Sequence, residues 1–128
     1  PPKSDLESAA QDIAAKMGMP YELVRAVIEQ ESQWNPAAQG SQGEVGLMQI
    51  MPKTHTGAPY MAGISNLGNY NQNLQAGVGY LKHLLEKFGG DYRKALQAYN
   101  AGPDDALAGP QHPSHGYATQ VLGRMGGF

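Results

Sequence analysis

The feature that most constrains this chain is the spacing of its apolar residues. They recur at three- and four-residue intervals in segment after segment, and nowhere do they alternate at period two over a convincing stretch. Leu6, Ala9, Ala10, Ile13, Ala14 and Met17 define a first helix over 4–17, with Ser4 and Glu7 spaced as a capping box and Gly18 in the C′ position. A second helix runs over 20–33, with Pro20 in its first turn. Leu74, Val78, Leu81, Leu85 and Phe88 mark a third, capped by Asn71 or Asn73 and stopped by Gly89-Gly90. Asp91 caps a fourth that turns Ala95, Leu96 and Tyr99 inward, and Tyr117, Ala118, Val121, Leu122 and Met125 form the last, which Tyr117 begins. Asp104 to Ala108 has room for one further turn, with Asp104 and Asp105 as an acid pair at its start. The expectation is one mainly α-helical domain over 1–128, with five or six helices.

The connections are as informative as the helices. Residues 35–45 read as an exposed polar loop, 109–114 as a second loop, and 53–70 as irregular chain with one helical turn near its start. Between them lies Gly46-Leu47-Met48-Gln49-Ile50-Met51-Pro52, apolar but too short for a helix with its own core. It is either a short strand or a single helical turn. Gly77 and Gly79 interrupt the third helix at a cost of about 1 kcal/mol each, which implies another backbone close against it.

The second helix carries Glu22, Glu29 and Glu31. At about 100° per residue with Leu23 at 0°, Val27, Val24 and Ile28 fall near ~40°, ~100° and ~140°, and Glu31 near ~80°, inside that stripe. Glu22 and Glu29 fall on the opposite, wet face, near ~260° and ~240°. A carboxyl group stripped of water has a raised pKa, which prepares it to act as a general acid near neutral pH. A glutamate at a helix end can also swing out to solvent, and the rest of the chain has to decide between the two.

Composition removes several alternatives. Charged residues are 16% of the chain and the net charge is −2, with no run of either sign, which disfavours a nucleic-acid groove or an electrostatic membrane anchor. An uncharged polymer such as a glycan fits better. There is no cysteine, so disulfides, thiolate catalysis and cysteine-ligated zinc are excluded. His112 and His115 lack a third ligand nearby and His55 and His83 are isolated, so neither a metal nor another cofactor is expected. No apolar run approaches the ~18 residues of a membrane span, and no signal peptide is visible. The abrupt ends suggest a segment of something larger.

Four blocks stand in order: Glu31-Ser32 within "RAVIEQES", "GLMQIMP" from Gly46, "AYNAGP" from Ala98 and "YATQVL" from Tyr117. With "NPAA" from Asn35 and "AGVGYLKHLLEKFGGD" from Ala76, this pattern over about residues 20–123 resembles the soluble-type lytic transglycosylase catalytic domain, a goose-lysozyme-like relative within the lysozyme superfamily. The helix over 1–18 would be an addition. The resemblance implies a lysozyme-like fold with a cleft for a glycan strand, and peptidoglycan as substrate. It implies cleavage of the β-1,4 bond from N-acetylmuramic acid to N-acetylglucosamine.

In that family one glutamate, matched by Glu31, protonates the leaving oxygen. It then takes a proton from the muramic C6 hydroxyl, which attacks C1 and leaves a 1,6-anhydro end. The resemblance also gives Ser32 a part in orienting the acid, and places Gln49 with Met48 or Met51 along the scissile bond. Tyr99 would hydrogen-bond near Glu31, Asn100 would fix a loop or contact sugar, and Tyr117 would close the far wall. Such domains occur free in the periplasm or cell wall, within secretion machines and in phage particles.

Two positions depart from the pattern. Pro113 stands where the family commonly has a glutamate four residues before the tyrosine, and Glu44 stands where a small residue usually precedes "GLMQ". Goose-type lysozymes, which hydrolyse, carry an extra acid in the corresponding loop. Glu44 is therefore either an exposed loop acid or a second carboxylate that holds a water, a role for which separations of about 6.5–9.5 Å leave room. The second option would make the chain a hydrolytic muramidase. A glycan-binding or assembly module without turnover is the remaining alternative.

Overall fold

The computed structural model describes residues 1–53, 55–103 and 112–126. The turn expected over 104–108, with Asp104 and Asp105, and the first half of the loop expected after it lie outside the described residues. Five α-helices carry the architecture: α1 (Lys3–Met17), α2 (Tyr21–Ser32), α3 (Tyr70–Lys87), α4 (Tyr92–Ala101) and α5 (Ser114–Arg124), with a 3₁₀ turn at Pro59–Met61. They pack in a closed circuit, α1 on α2, α2 on α5, α5 on α4, α4 on α3 and α3 back on α1. Each helix turns an apolar face inward, from Leu6, Ala10, Ile13 and Ala14 on α1 to Ala118 and Val121 on α5. Helix α2 is deeply set, with Leu23, Val24, Ala26, Val27 and Ile28 fully buried.

The circuit is filled from the side by the 46–50 segment, whose Leu47, Met48 and Ile50 join the same core. This segment is neither a strand nor a helical turn. Val45 and Ile50 exchange both backbone hydrogen bonds at 3.0 Å, and Gly46 to Gln49 form the four-residue loop of a minimal hairpin. Gly46 and Gln49 both have positive φ, 83° and 51°, and for a glutamine that conformation is sterically disfavoured.

Helix α3 explains how the loop fits. A Cβ on Gly77 would lie 2.6 Å from Met48 Cβ, and one on Gly79 would lie 3.0 Å from Tyr60 Cβ. The neighbour that these glycines admit is thus a side chain in the first case, not the backbone expected there. Tyr60 belongs to the 3₁₀ turn, which falls midway through the irregular stretch and not near its start.

The caps differ more than the helices. Asp91 caps α4 as expected, accepting from Lys94 N–H at 3.0 Å. Gly18 takes the left-handed conformation after α1. Ser4 makes no capping box, because Pro2, extended at φ −62° and ψ 150°, already starts α1 and its carbonyl accepts from Asp5 and Leu6. Pro20 is likewise the residue before α2 and not part of its first turn. Asn69, and neither Asn71 nor Asn73, caps α3 by accepting from Gln72 N–H. The last helix begins at Ser114, so Tyr117 stands one turn inside it.

Candidate active site

Glu31 sits in the last turn of α2, on the face set by Val24, Val27 and Ile28. The other two glutamates of that helix are engaged on the far side. Arg25 pairs with Glu22 at 2.7 Å and with Glu29 at 3.0 Å, and donates a further hydrogen bond to the carbonyl of Arg124 on α5. Gln30 donates to Gln120 at 2.7 Å and accepts from Arg124 Nε at 2.8 Å. These contacts tie α5 along α2. The result, one turn from α5's start, is a 2.7 Å hydrogen bond donated by the Tyr117 hydroxyl to Glu31 Oε2.

Burial raises the Glu31 pKa from the usual carboxyl value to about 7. The Tyr117 hydrogen bond opposes that rise by favouring the charged form, and the negative charge of Glu44 reinforces it. Burial, and then the charge of Glu31, push the Tyr117 phenol well above its ordinary value, so it remains a donor. Tyr99 is raised for the same two reasons.

Glu31 opens on a cleft of about 300 Å³. Gln49, Ile50 and Met51 form one part of its wall, Tyr99, Asn100, Ala101 and Gly102 at the end of α4 another, and Gln42 and Glu44 a third. His55 and Tyr80 complete it. Gly102, at φ 96° and ψ 153°, adopts a conformation open only to glycine and ends α4 at the cleft.

Two shared anchors hold the wall that contains Gln49. Asn73, fully buried on α3, accepts from Met48 N–H at 2.9 Å through Oδ1. Its Nδ2 donates to the Val45 carbonyl at 2.8 Å and to that of Leu67 at 3.0 Å. From the other side the Tyr99 hydroxyl donates to the Met48 carbonyl at 2.7 Å. Gln49 uses its own Nε2 to bridge the carbonyls of Ala38 and Gly46, at 3.0 and 2.9 Å. A glutamine in the left-handed region costs of order 1 kcal/mol, and these bonds hold it there.

The expected site residues therefore separate into two groups. Glu31, Gln49, Met51, Tyr99 and Asn100 line the cleft, as does Glu44. Ser32, Met48 and Tyr117 do not. Ser32 donates to the Ile28 carbonyl at 3.1 Å within its own helix, and Met48 is fully buried with its side chain against Gly77. Tyr117 donates the hydrogen bond to Glu31, and Tyr99, in the same cleft and within reach of the Glu31 charge, anchors the loop through the Met48 carbonyl. Glu44 is half-buried and packs over Gly40, and its Oε1 accepts from Gln42 N–H at 2.6 Å.

Asn73, Gln42, His55 and Tyr80 are the additions that sequence reasoning missed. For Asn73 a signal existed. It stands one residue before Leu74 and four before Gly77, on the buried stripe of α3, where an amide needs partners as much as the carboxyl of Glu31 does.

The model of the Transglycosylase SLT domain family matches residues 8–111. The soluble lytic murein transglycosylase of Escherichia coli (strain K12) is 36% identical over 91 residues, which cover 66% of this chain and 14% of that protein. The transglycosylase of Enterobacteria phage PRD1 is 32% identical over 102 residues, 80% of this chain and 37% of that one. The crystal structure of the 70 kDa soluble lytic transglycosylase of E. coli superposes with a TM-score of 0.80 at 28% identity, covering 92% of this chain and 23% of that chain. The chain thus spans a small part of the length of these relatives. The mainly α-helical, lysozyme-like fold expected from the sequence is the one observed, and the chain belongs to the Transglycosylase SLT domain family.

Proposed function

We propose that this domain is a peptidoglycan lytic transglycosylase, with Glu31 as its acid and its base. The observation that carries the reading is a largely buried glutamate with a pKa near 7, hydrogen-bonded to a phenol and open to a cleft. At neutral pH a substantial fraction of Glu31 holds its proton. It donates that proton to the glycosidic oxygen as the bond to C1 of N-acetylmuramic acid breaks. The carboxylate so formed is stabilised by the Tyr117 hydroxyl, which is already in place. It then removes the proton of the C6 hydroxyl while that oxygen bonds to C1. The proton has returned to Glu31, no water has been consumed, and the product is a 1,6-anhydro ring. One carboxylate suffices because nucleophile and electrophile belong to the same sugar.

Gln49, Met51, Tyr99 and Asn100 contact the strand in this reading, while Met48 holds Tyr99, Tyr117 holds Glu31, and Ser32 bonds back to Ile28 in the helix that carries the acid. The substrate is the glycan strand of the wall, and the site of action is the periplasm, the cell wall or a phage particle acting on the wall. Relatives named as transglycosylases come from bacteria and from phages. Among the described residues no helix is long and apolar enough to cross a membrane.

One observation favours a second reading. Glu44 lines the same cleft and its charge raises the Glu31 pKa, which supports a hydrolase in which Glu44 holds a water. Digestion of purified sacculi by wild type and Glu31→Gln tests the enzyme claim. Loss of solubilisation in the variant is expected, and equal slow clearing by both proteins would leave only a binding module.

A further inference from the structure

His55 belongs to the cleft wall but has no part in the chemistry above. It lies just beyond Met51-Pro52 in chain order, and is only 8% exposed. Its ring packs against two tyrosines, with centroids 4.4 Å from Tyr80 and 5.6 Å from Tyr60, and the two tyrosine rings touch each other at 5.3 Å. Nδ1 and the Tyr60 hydroxyl share a 2.6 Å hydrogen bond. Tyr60 is itself seated by Gly79, where an added Cβ would crowd the Tyr60 Cβ at 3.0 Å. The glycine that looked like a flaw in α3 therefore makes room for the clamp on this imidazole.

The second ring nitrogen is different. Nε2 has no hydrogen-bond partner among the described residues, and its ring stands on the cleft wall. The buried side-chain polar atom left unpaired among those residues is Trp34 Nε1. A buried imidazole in an aromatic nest is kept neutral, because burial lowers its pKa below the usual value. A neutral imidazole has one donor and one acceptor, and the hydrogen bond at one nitrogen fixes the role of the other. A phenol donates more readily than it accepts, so Tyr60 takes the acceptor nitrogen and leaves the proton on Nε2.

We propose that His55 is a glycan-binding residue, held by Tyr60 and Tyr80 so that Nε2–H donates to a hydroxyl or acetamido oxygen of a sugar in the cleft. The proposal rests on the reading of this cleft as a glycan site. The ring also supplies an apolar face beside that donor, the pairing that sugar recognition uses. Its effect is on binding and not on the bond-breaking step.

Kinetics on soluble glycan tetrasaccharides that retain their stem peptides test it. His55→Phe keeps a ring in the stack and removes Nε2–H. It should raise KM about tenfold with kcat within about twofold, as expected for losing one neutral hydrogen bond. Tyr60→Phe, which releases the tautomer, should raise KM by a smaller factor, and His55→Gln should recover part of the loss. Ring nitrogen NMR of the wild-type protein should show the proton on Nε2. In the Glu31→Gln background that signal should move when the tetrasaccharide is added. An unchanged KM in His55→Phe, or a proton found on Nδ1, would overturn the assignment while Glu31→Gln still abolished turnover. If Glu31→Gln were as active as wild type, the reading of the cleft itself would fail first.

Discussion

The carboxyl of Glu31 is held at a cost to the fold, and the cost has a pH signature. Its folded-state pKa is about 7, against an ordinary value of 4.5. Below pH 4.5 the group is neutral whether the chain is folded or not, and the cost is absent. As pH rises from 4.5 to 7 the unfolded chain ionises while the folded one keeps its proton, so the folded state loses ground. Above 7 the loss is complete. At 1.36 kcal/mol per unit, the displacement amounts to about 3 kcal/mol. Glu31→Gln removes the titration and keeps the shape, and the Tyr117 hydroxyl can donate to the amide oxygen as it does to the carboxyl. The variant should match wild type in stability near pH 4 and exceed it by about 3 kcal/mol near pH 8. For a domain of this size that is roughly 10 °C in melting temperature. Urea or thermal unfolding of both proteins at pH 4, 5, 6, 7 and 8 measures it. A gap that stays constant across that range would refute the idea that burial, more than any other influence, sets the state of Glu31.

Three further outcomes follow from the same geometry. Tyr117→Phe removes the hydrogen bond that lowers the Glu31 pKa, so the alkaline limb of the kcat/KM profile should move up by about one unit; a limb that stayed in place would contradict the role given to that phenol. Glu44→Gln removes a charge that raises the same pKa, so its alkaline limb should move toward lower pH, and product analysis should still find anhydro ends. Asn73→Leu strips partners from Met48 N–H and from the carbonyls of Val45 and Leu67, and should destabilise the domain by about 3 kcal/mol or more in chemical denaturation; a loss under about 1 kcal/mol would mean that the loop holds itself.

The helices were legible because each is fixed by residues within one or two turns. Periodicity alone put Glu31 on the buried face of α2 and set Glu22 and Glu29 on the other, where Arg25 takes both. Asp91 was readable as a cap and Gly77 as a point of close approach for the same local reason. The caps of α1 and α3 were not, because Pro2 and Asn69 compete with plausible neighbours and differ from them by little energy.

The site lay further out of reach. Tyr117 and Glu31 are 86 residues apart in the chain, and Tyr99 and Met48 are 51 apart. Which tyrosine meets which partner depends on how α5 is tied along α2 by Gln30, Gln120, Arg25 and Arg124, and no motif records that register. The resemblance pointed to Glu31, Gln49, Met51, Tyr99 and Asn100, which do line one cleft, but not to the hydrogen bond between Tyr117 and Glu31. Asn73 escaped because a polar residue near a helix start reads first as a cap, although its place on the apolar stripe of α3 carried the same information as that of Glu31. His55 escaped because its neighbours Tyr60 and Tyr80 come from a 3₁₀ turn and from α3.

The most direct test of the central claim is the chemical identity of the new glycan end. Purified sacculi digested at neutral pH should release fragments that mass spectrometry identifies as 1,6-anhydro-muramyl species, each lighter by one water than its hydrolytic counterpart. They should be absent when Glu31→Gln replaces the wild type. Fragments ending only in reducing N-acetylmuramic acid would contradict the account, and would shift the attacking group from the sugar's own hydroxyl to a water beside Glu44.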